Sequence, residues 1–155
     1  HVLEQLTPAS RLFLTELPTQ VEVPTTAGKL LLCHGVGDDD LKKVWPGTER
    51  MALERSRALD EIIRDGEFEY LVNGHMHFRT MIHFSDLTLI NAGTLRGEHW
   101  PGFSYMDLAE HTITAFEFKE SNQIHTKSLT LSSADYDRWT DTQAFTGGWD
   151  PLRLF

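Results

Sequence analysis

Apolar residues in this chain fall into short runs separated by turn chemistry, and the spacing inside each run predicts an element. Residues 6–18, LTPASRLFLTELP, have the spacing of a short amphipathic helix, with Thr7 as N-cap, Pro8 at the first helical position and Pro18 just past the end. The run TQVEV alternates and predicts a strand closed by Pro24, and TTAG supplies the turn after it. KLLLCH, residues 29–34, is continuously apolar and predicts a buried strand, running into the polar, Gly-rich loop GVGDDD. Residues 49–66 predict the best helix, with Met51, Leu59, Ile62 and Ile63 on one face and Gly66 as its stop. FEYLVNG then predicts a second buried strand, so strand, helix and strand form a βαβ unit. RTMIHF and LTLIN read as a hairpin about Ser85 and Asp86, residues 103–118 as another, and QIHTKSLTL as one more strand. After Ser133 the pattern supports about one helical turn and then irregular chain.

This order describes one layered α/β domain over residues 1–131, with an irregular tail over 132–155. Composition narrows the class. The chain has 155 residues, 40% hydrophobic and 24% charged, as expected for a folded globular domain. No apolar run approaches the ~20 residues that span a bilayer, and no signal peptide is visible, so no membrane partner is expected. The single cysteine, Cys33, excludes an internal disulfide and points to a reducing cytoplasm. The net charge is −9 without a Lys/Arg stripe, which argues against a nucleic-acid surface. An acidic chain can still handle phosphate esters if metal ions supply the positive charge.

Candidate chemistry resides in the eight histidines. His1, His83, His99, His111 and His125 carry no pattern that lifts them above surface or satisfied core residues, and His83 and His111, in or beside hairpins, are expected to face solvent. His75 and His77 differ. They follow YLVNG, a strand reaching its C-terminal end, where ligands bind in open α/β sheets. In an extended segment residues i and i+2 point to the same side, and Gly74 allows a sharp exit from the strand. His34 also ends an apolar strand and also adjoins a glycine. Two neighbouring strands would then deliver His34, His75 and His77 to one sheet edge, and neutral imidazole is a good ligand for Zn, Mn, Fe and Ni. Three imidazoles could hold a single zinc ion, for which the acidic Asp38, Asp39 and Asp40 offer one carboxylate source; they read more simply as a solvated loop. Cys33 alternates away from His34 and faces the core. An amidohydrolase barrel, which also uses His-x-His, needs a far longer chain.

LLLCHG, then YLVNGHMH, then LINAGT, in this order, resemble the C-terminal motifs of the calcineurin-like metallophosphoesterases. LTPASRLFLTELP and GFSYMDL resemble flanking segments of the small bacterial members, so the similarity covers residues 6–118. Ala92 stands where the family usually has Pro, and Met76 where it usually has Thr. The resemblance implies part of a four-layer α/β/β/α sandwich and hydrolysis of phosphomono- or phosphodiesters by two divalent ions, with Mn, Fe, Zn and Ni as candidates. It implies that His34 and His75 bind one ion and His77 the other. The family's Asp-x-His, Gly-Asp and Gly-Asn-His motifs are absent, and the first methionine is Met51. The expectation is therefore a C-terminal portion lacking the N-terminal strands and the bridging carboxylate, without catalytic residues of its own, inactive alone, and prone to self-association or to pairing with the missing part. The sequence does not assign substrate-binding residues; the one candidate is the loop RGEHWP, residues 96–101, where His99 and Trp100 read mainly as surface residues. The alternative is a non-catalytic scaffold of the same fold.

Overall fold

The computed structural model describes residues 5–44, 55–119, 123–144 and 152–154. Helix α1 spans Pro8–Glu16; the Thr7 hydroxyl accepts from the Ser10 amide, as its N-cap position requires. Strands β1 (Gln20–Thr25) and β2 (Gly28–Cys33) form an antiparallel hairpin, and β2 pairs in parallel with β3 (Tyr70–Asn73) through helix α2 (Arg57–Asp65). The expected βαβ unit is present. Pro24 does not close β1 but sits inside it, which an edge strand tolerates because one side needs no amide donor.

Helix α2 begins later than its periodicity suggests. Ser56 is extended and caps it by accepting from the Leu59 amide, and Gly66, at φ 62°, ends it by donating to the Ile62 carbonyl. Met51 and the first part of the expected helix lie outside the described residues.

Strands β4 (Arg79–Phe84) and β5 (Leu87–Ala92) form the expected hairpin, and β5 pairs in parallel with β3. The main sheet runs β1-β2-β3-β5-β4. The chain beyond residue 132, expected to be irregular, contributes two short strands. β9 (Arg138–Trp139) pairs with His83 and Phe84, and β10 (Leu152–Arg153) with Thr80 and Met81. Both lie along the outer edge of β4, where they occupy backbone groups that would otherwise stay unpaired. Two-residue strands leave no periodicity to read.

A second antiparallel sheet holds β6 (Gly102–Asp107), β7 (Thr112–Phe118) and β8 (Ile124–Thr130). The main sheet is buried on both faces at its centre, so every residue of β4 is buried although Arg79, Thr80 and His83 are polar. On one face Leu31, Cys33, Leu71, Ile82, Phe84 and Leu89 pack with Leu59 and Ile63 of α2. On the other, Tyr70, Met81 and Ile90 pack with Ile113, Ala115 and Leu131. Among the described residues the order is helix, sheet, sheet, consistent with the expected part of a four-layer sandwich. Helix α1 buries none of its side chains.

Candidate metal centre

The parallel strands β2, β3 and β5 end in register, Cys33 opposite Asn73 and Asn73 opposite Asn91. Residues leaving these strands therefore emerge side by side, as a parallel sheet requires. His34 leaves β2, Gly74 and His75 leave β3, and Gly93 and Thr94 follow β5. The His34 carbonyl accepts from the amides of both Gly74 (3.1 Å) and His75 (2.8 Å), which ties the two exits together. Asn73 donates from Nδ2 to the Gly35 carbonyl at 3.1 Å, and Asn91 from Nδ2 to the Thr80 hydroxyl at 2.6 Å. The Oδ1 atoms of both asparagines are buried without a partner among the described residues, an uncommon condition for which an ion or water is one explanation.

The glycines divide differently from expectation. Gly74 has no positive φ, and a Cβ there would only touch the His34 ring at 3.7 Å, so the exit from β3 does not require glycine. Gly35 and Gly93 are the demanding ones at these exits. Gly93 has φ 81°, and a Cβ there would meet the Arg79 side chain. At Gly35 a Cβ would meet the Asp39 carbonyl oxygen, because Val36 and Asp39 exchange backbone hydrogen bonds in a tight turn. The acidic residues Asp38, Asp39 and Asp40 are exposed in this loop, which matches the solvated reading.

The rings meet in two pairs. His34 Nε2 lies 3.2 Å from His75 Nδ1, with the ring planes at 85°. His77 Nδ1 lies 3.1 Å from His99 Nδ1, with the planes at 78°. His34 and His75 come together as the strand order predicts. His77 turns away to His99, because residues 75–78 form a bend rather than a continued strand, and the same-side rule holds only for extended backbone. Among the described residues no three His, Cys, Asp or Glu side chains converge on one point. The His75 pKa is lowered, first by burial and then by the neighbouring His34, Lys43 and His77, while Asp40 opposes the shift. A neutral ring is the form that binds metal.

Imidazole pairs are a donor set that suits borderline divalent ions such as zinc. At Zn–N distances of ~2.0–2.1 Å, two nitrogens on one tetrahedral ion stand about 3.3 Å apart, close to both pairs seen here. The sequence pattern places His99 at the surface, whereas its ring is partly buried against His77. Only its place in a loop directly after a strand end hinted at more. His83, expected to face solvent, is fully buried; alternation along β4 turns it inward beneath the second sheet, where its Nε2 donates to the Leu131 carbonyl at 2.9 Å. His111 and His125 are exposed, and His1 lies outside the described residues.

With two stacked sheets and a crossover helix, and with histidines where parallel strands end, this chain has the metallophosphoesterase fold of its structural neighbours. Among solved structures it is similar to Vps29 from Entamoeba histolytica complexed with zinc, at 16% identity and a TM-score of 0.52, over 76% of this chain and 63% of that one. It is similar to vacuolar protein sorting 29 from Cryptosporidium parvum, at 18% identity and a TM-score of 0.51, over 74% of this chain and 58% of that one. A predicted phosphoesterase from Streptococcus pneumoniae matches at 14% identity and a TM-score of 0.50, over 81% of this chain and 76% of that one. The chain thus spans less than two thirds of the length of these Vps29 structures. No protein-family model matches the sequence, and no curated protein matches it.

Proposed function

We propose that this chain supplies strand-end histidine ligands to the two-metal centre of a phosphoesterase acting on phosphomono- or phosphodiesters, and that it is inactive alone. The observation that carries the reading is the His34–His75 pair, whose nitrogens stand 3.2 Å apart at the ends of adjacent parallel strands. His34 and His75 serve one ion and His77 the other. When bound, divalent ions supply Lewis acidity at a phosphoryl oxygen and neutralise developing charge. The protein residues hold the geometry: the His34 carbonyl fixes the Gly74 and His75 amides, so both rings arrive on a rigid base. The zinc complex of the Entamoeba protein supports metal binding on this fold. No carboxylate joins the histidines among the described residues, and this supports dependence of hydrolysis, rather than of zinc binding, on ligands from elsewhere. The chain is acidic and no helix among the described residues is long and apolar enough to cross a membrane; the reading includes neither nucleic acid nor membrane as partner.

The test is hydrolysis of a generic phosphodiester with Mn²⁺, by this chain and by the whole gene product. The whole product should turn over, this chain should not, and His75→Ala in the whole product should lower turnover by about a hundredfold or more. Unchanged turnover in His75→Ala would remove the assignment. A second reading, a scaffold without catalysis, is favoured by the exposed apolar faces of α1 and β6. Metal binding by the whole product without any hydrolysis would select it.

A further inference from the structure

The loop over residues 96–101 is better anchored than a surface loop needs to be. Arg79, a buried cation on β4, donates from Nη1 to the Trp100 carbonyl at 2.8 Å. The Trp100 ring packs on Phe78, with centroids 5.1 Å apart. Trp100 itself has φ 50°, a left-handed conformation that a bulky side chain rarely adopts. Such backbone strain persists only where surrounding contacts hold it, and it clusters at functional sites. The loop ends are closed by the Gly102 amide donating to the Thr94 carbonyl and the Phe118 amide donating to the Pro101 carbonyl. What this scaffold delivers is the half-buried ring of His99, placed with Nδ1 at 3.1 Å from His77 Nδ1.

We infer that His99 is a metal ligand, forming with His77 a second two-imidazole half-site beside that of His34 and His75. The inference rests on the reading of the strand-end histidines as metal ligands, and it adds a loop residue to them. The nitrogen separation lies between the ~2.9 Å and ~3.3 Å expected for two nitrogens at right or tetrahedral angles on one ion. The two rings stand edge-on at 78°, with centroids 4.8 Å apart. Each half-site leaves coordination positions open to water or a phosphate oxygen, which suits a centre that binds a phosphate ester. Arg79 acts as a positioning residue, through the Trp100 carbonyl.

A shared N–H···N hydrogen bond would also hold two imidazoles at this distance, so the test must see the metal. Zn²⁺ alone is titrated into this chain, with heat recorded by calorimetry and the histidine ring nitrogens followed by long-range ¹⁵N correlation spectra. Zinc should shift the ring nitrogens of His34, His75, His77 and His99. In His99→Ala, and in His99→Gln, the zinc-induced shift at His77 should vanish, the shifts at His34 and His75 should persist, and bound zinc should fall by about half. Backbone amide spectra of both variants report that the fold is kept. If both variants bind zinc as the parent does while His75→Ala loses it, the inference fails and the metal reading stands. If zinc shifts none of the four rings, both fail together.

Discussion

Single residues show most clearly what burial does to chemistry here. His34 and His75 follow strands of the sheet that holds His83, yet only His83 is enclosed, by Leu131 and by the Tyr136 ring with centroids 5.2 Å apart. Burial lowers its pKa, Arg138 lowers it further, and the hydrogen bond to the Leu131 carbonyl partly opposes them. The consequence has a definite sign. The folded state disfavours the charged ring, so the unfolded chain takes up a proton first as pH falls below about 6.5. Stability from neutral His83 is therefore complete above that pH and is lost progressively down to the folded pKa. Urea unfolding between pH 8 and pH 5 should show this decline, and His83→Gln should flatten it. That variant should also cost about 1–3 kcal/mol at pH 8 by leaving the buried Leu131 carbonyl poorly paired. A decline of equal slope in His83→Gln would assign it to other groups. The same residue shows a limit of sequence reading. Alternation in RTMIHF places His83 on one of two faces, but both faces are buried, and only the packing of the second sheet reveals that.

At the scale of elements, strands were legible where burial was two-sided or alternating. YLVN and LTLI read as strands because both faces are covered, and residues 103–118 because one face is. β9 and β10 were not legible; each has two residues and exists only because β4 offers them an edge. The pairing of His77 with His99 was hidden for a related reason, since loop paths follow anchors such as Arg79 and not periodicity. Other edges are unpaired among the described residues. β1, β6 and β8 end their sheets, and Phe103, Tyr105, Phe118 and Ile124 on the second sheet are exposed, as are Leu12, Phe13 and Leu17 on α1. Open edges beside exposed aromatics favour association. In sedimentation velocity this chain, purified alone, should show a weight-average coefficient that rises with concentration. A sharp monomer peak at every concentration contradicts this expectation.

For the molecule as a whole, the sheet does two tasks with one set of strands. Its middle is apolar on both faces and holds the helix and the second sheet in place. Its C-terminal edge gives up apolar packing for Asn73, Asn91 and the histidines that follow them. The strand-end histidines were legible because Gly-adjacent His at two apolar run ends is a pattern in the sequence itself. Their grouping into two pairs was not, because it depends on a bend at residues 75–78. The central claim is that His34 and His75 together hold a divalent ion. Crystals of this chain grown with Zn²⁺ and measured on either side of the zinc absorption edge test it directly. An anomalous peak about 2.1 Å from both His34 Nε2 and His75 Nδ1 is the predicted result. Saturating zinc with no peak between those two nitrogens, and the rings still in contact, would contradict it.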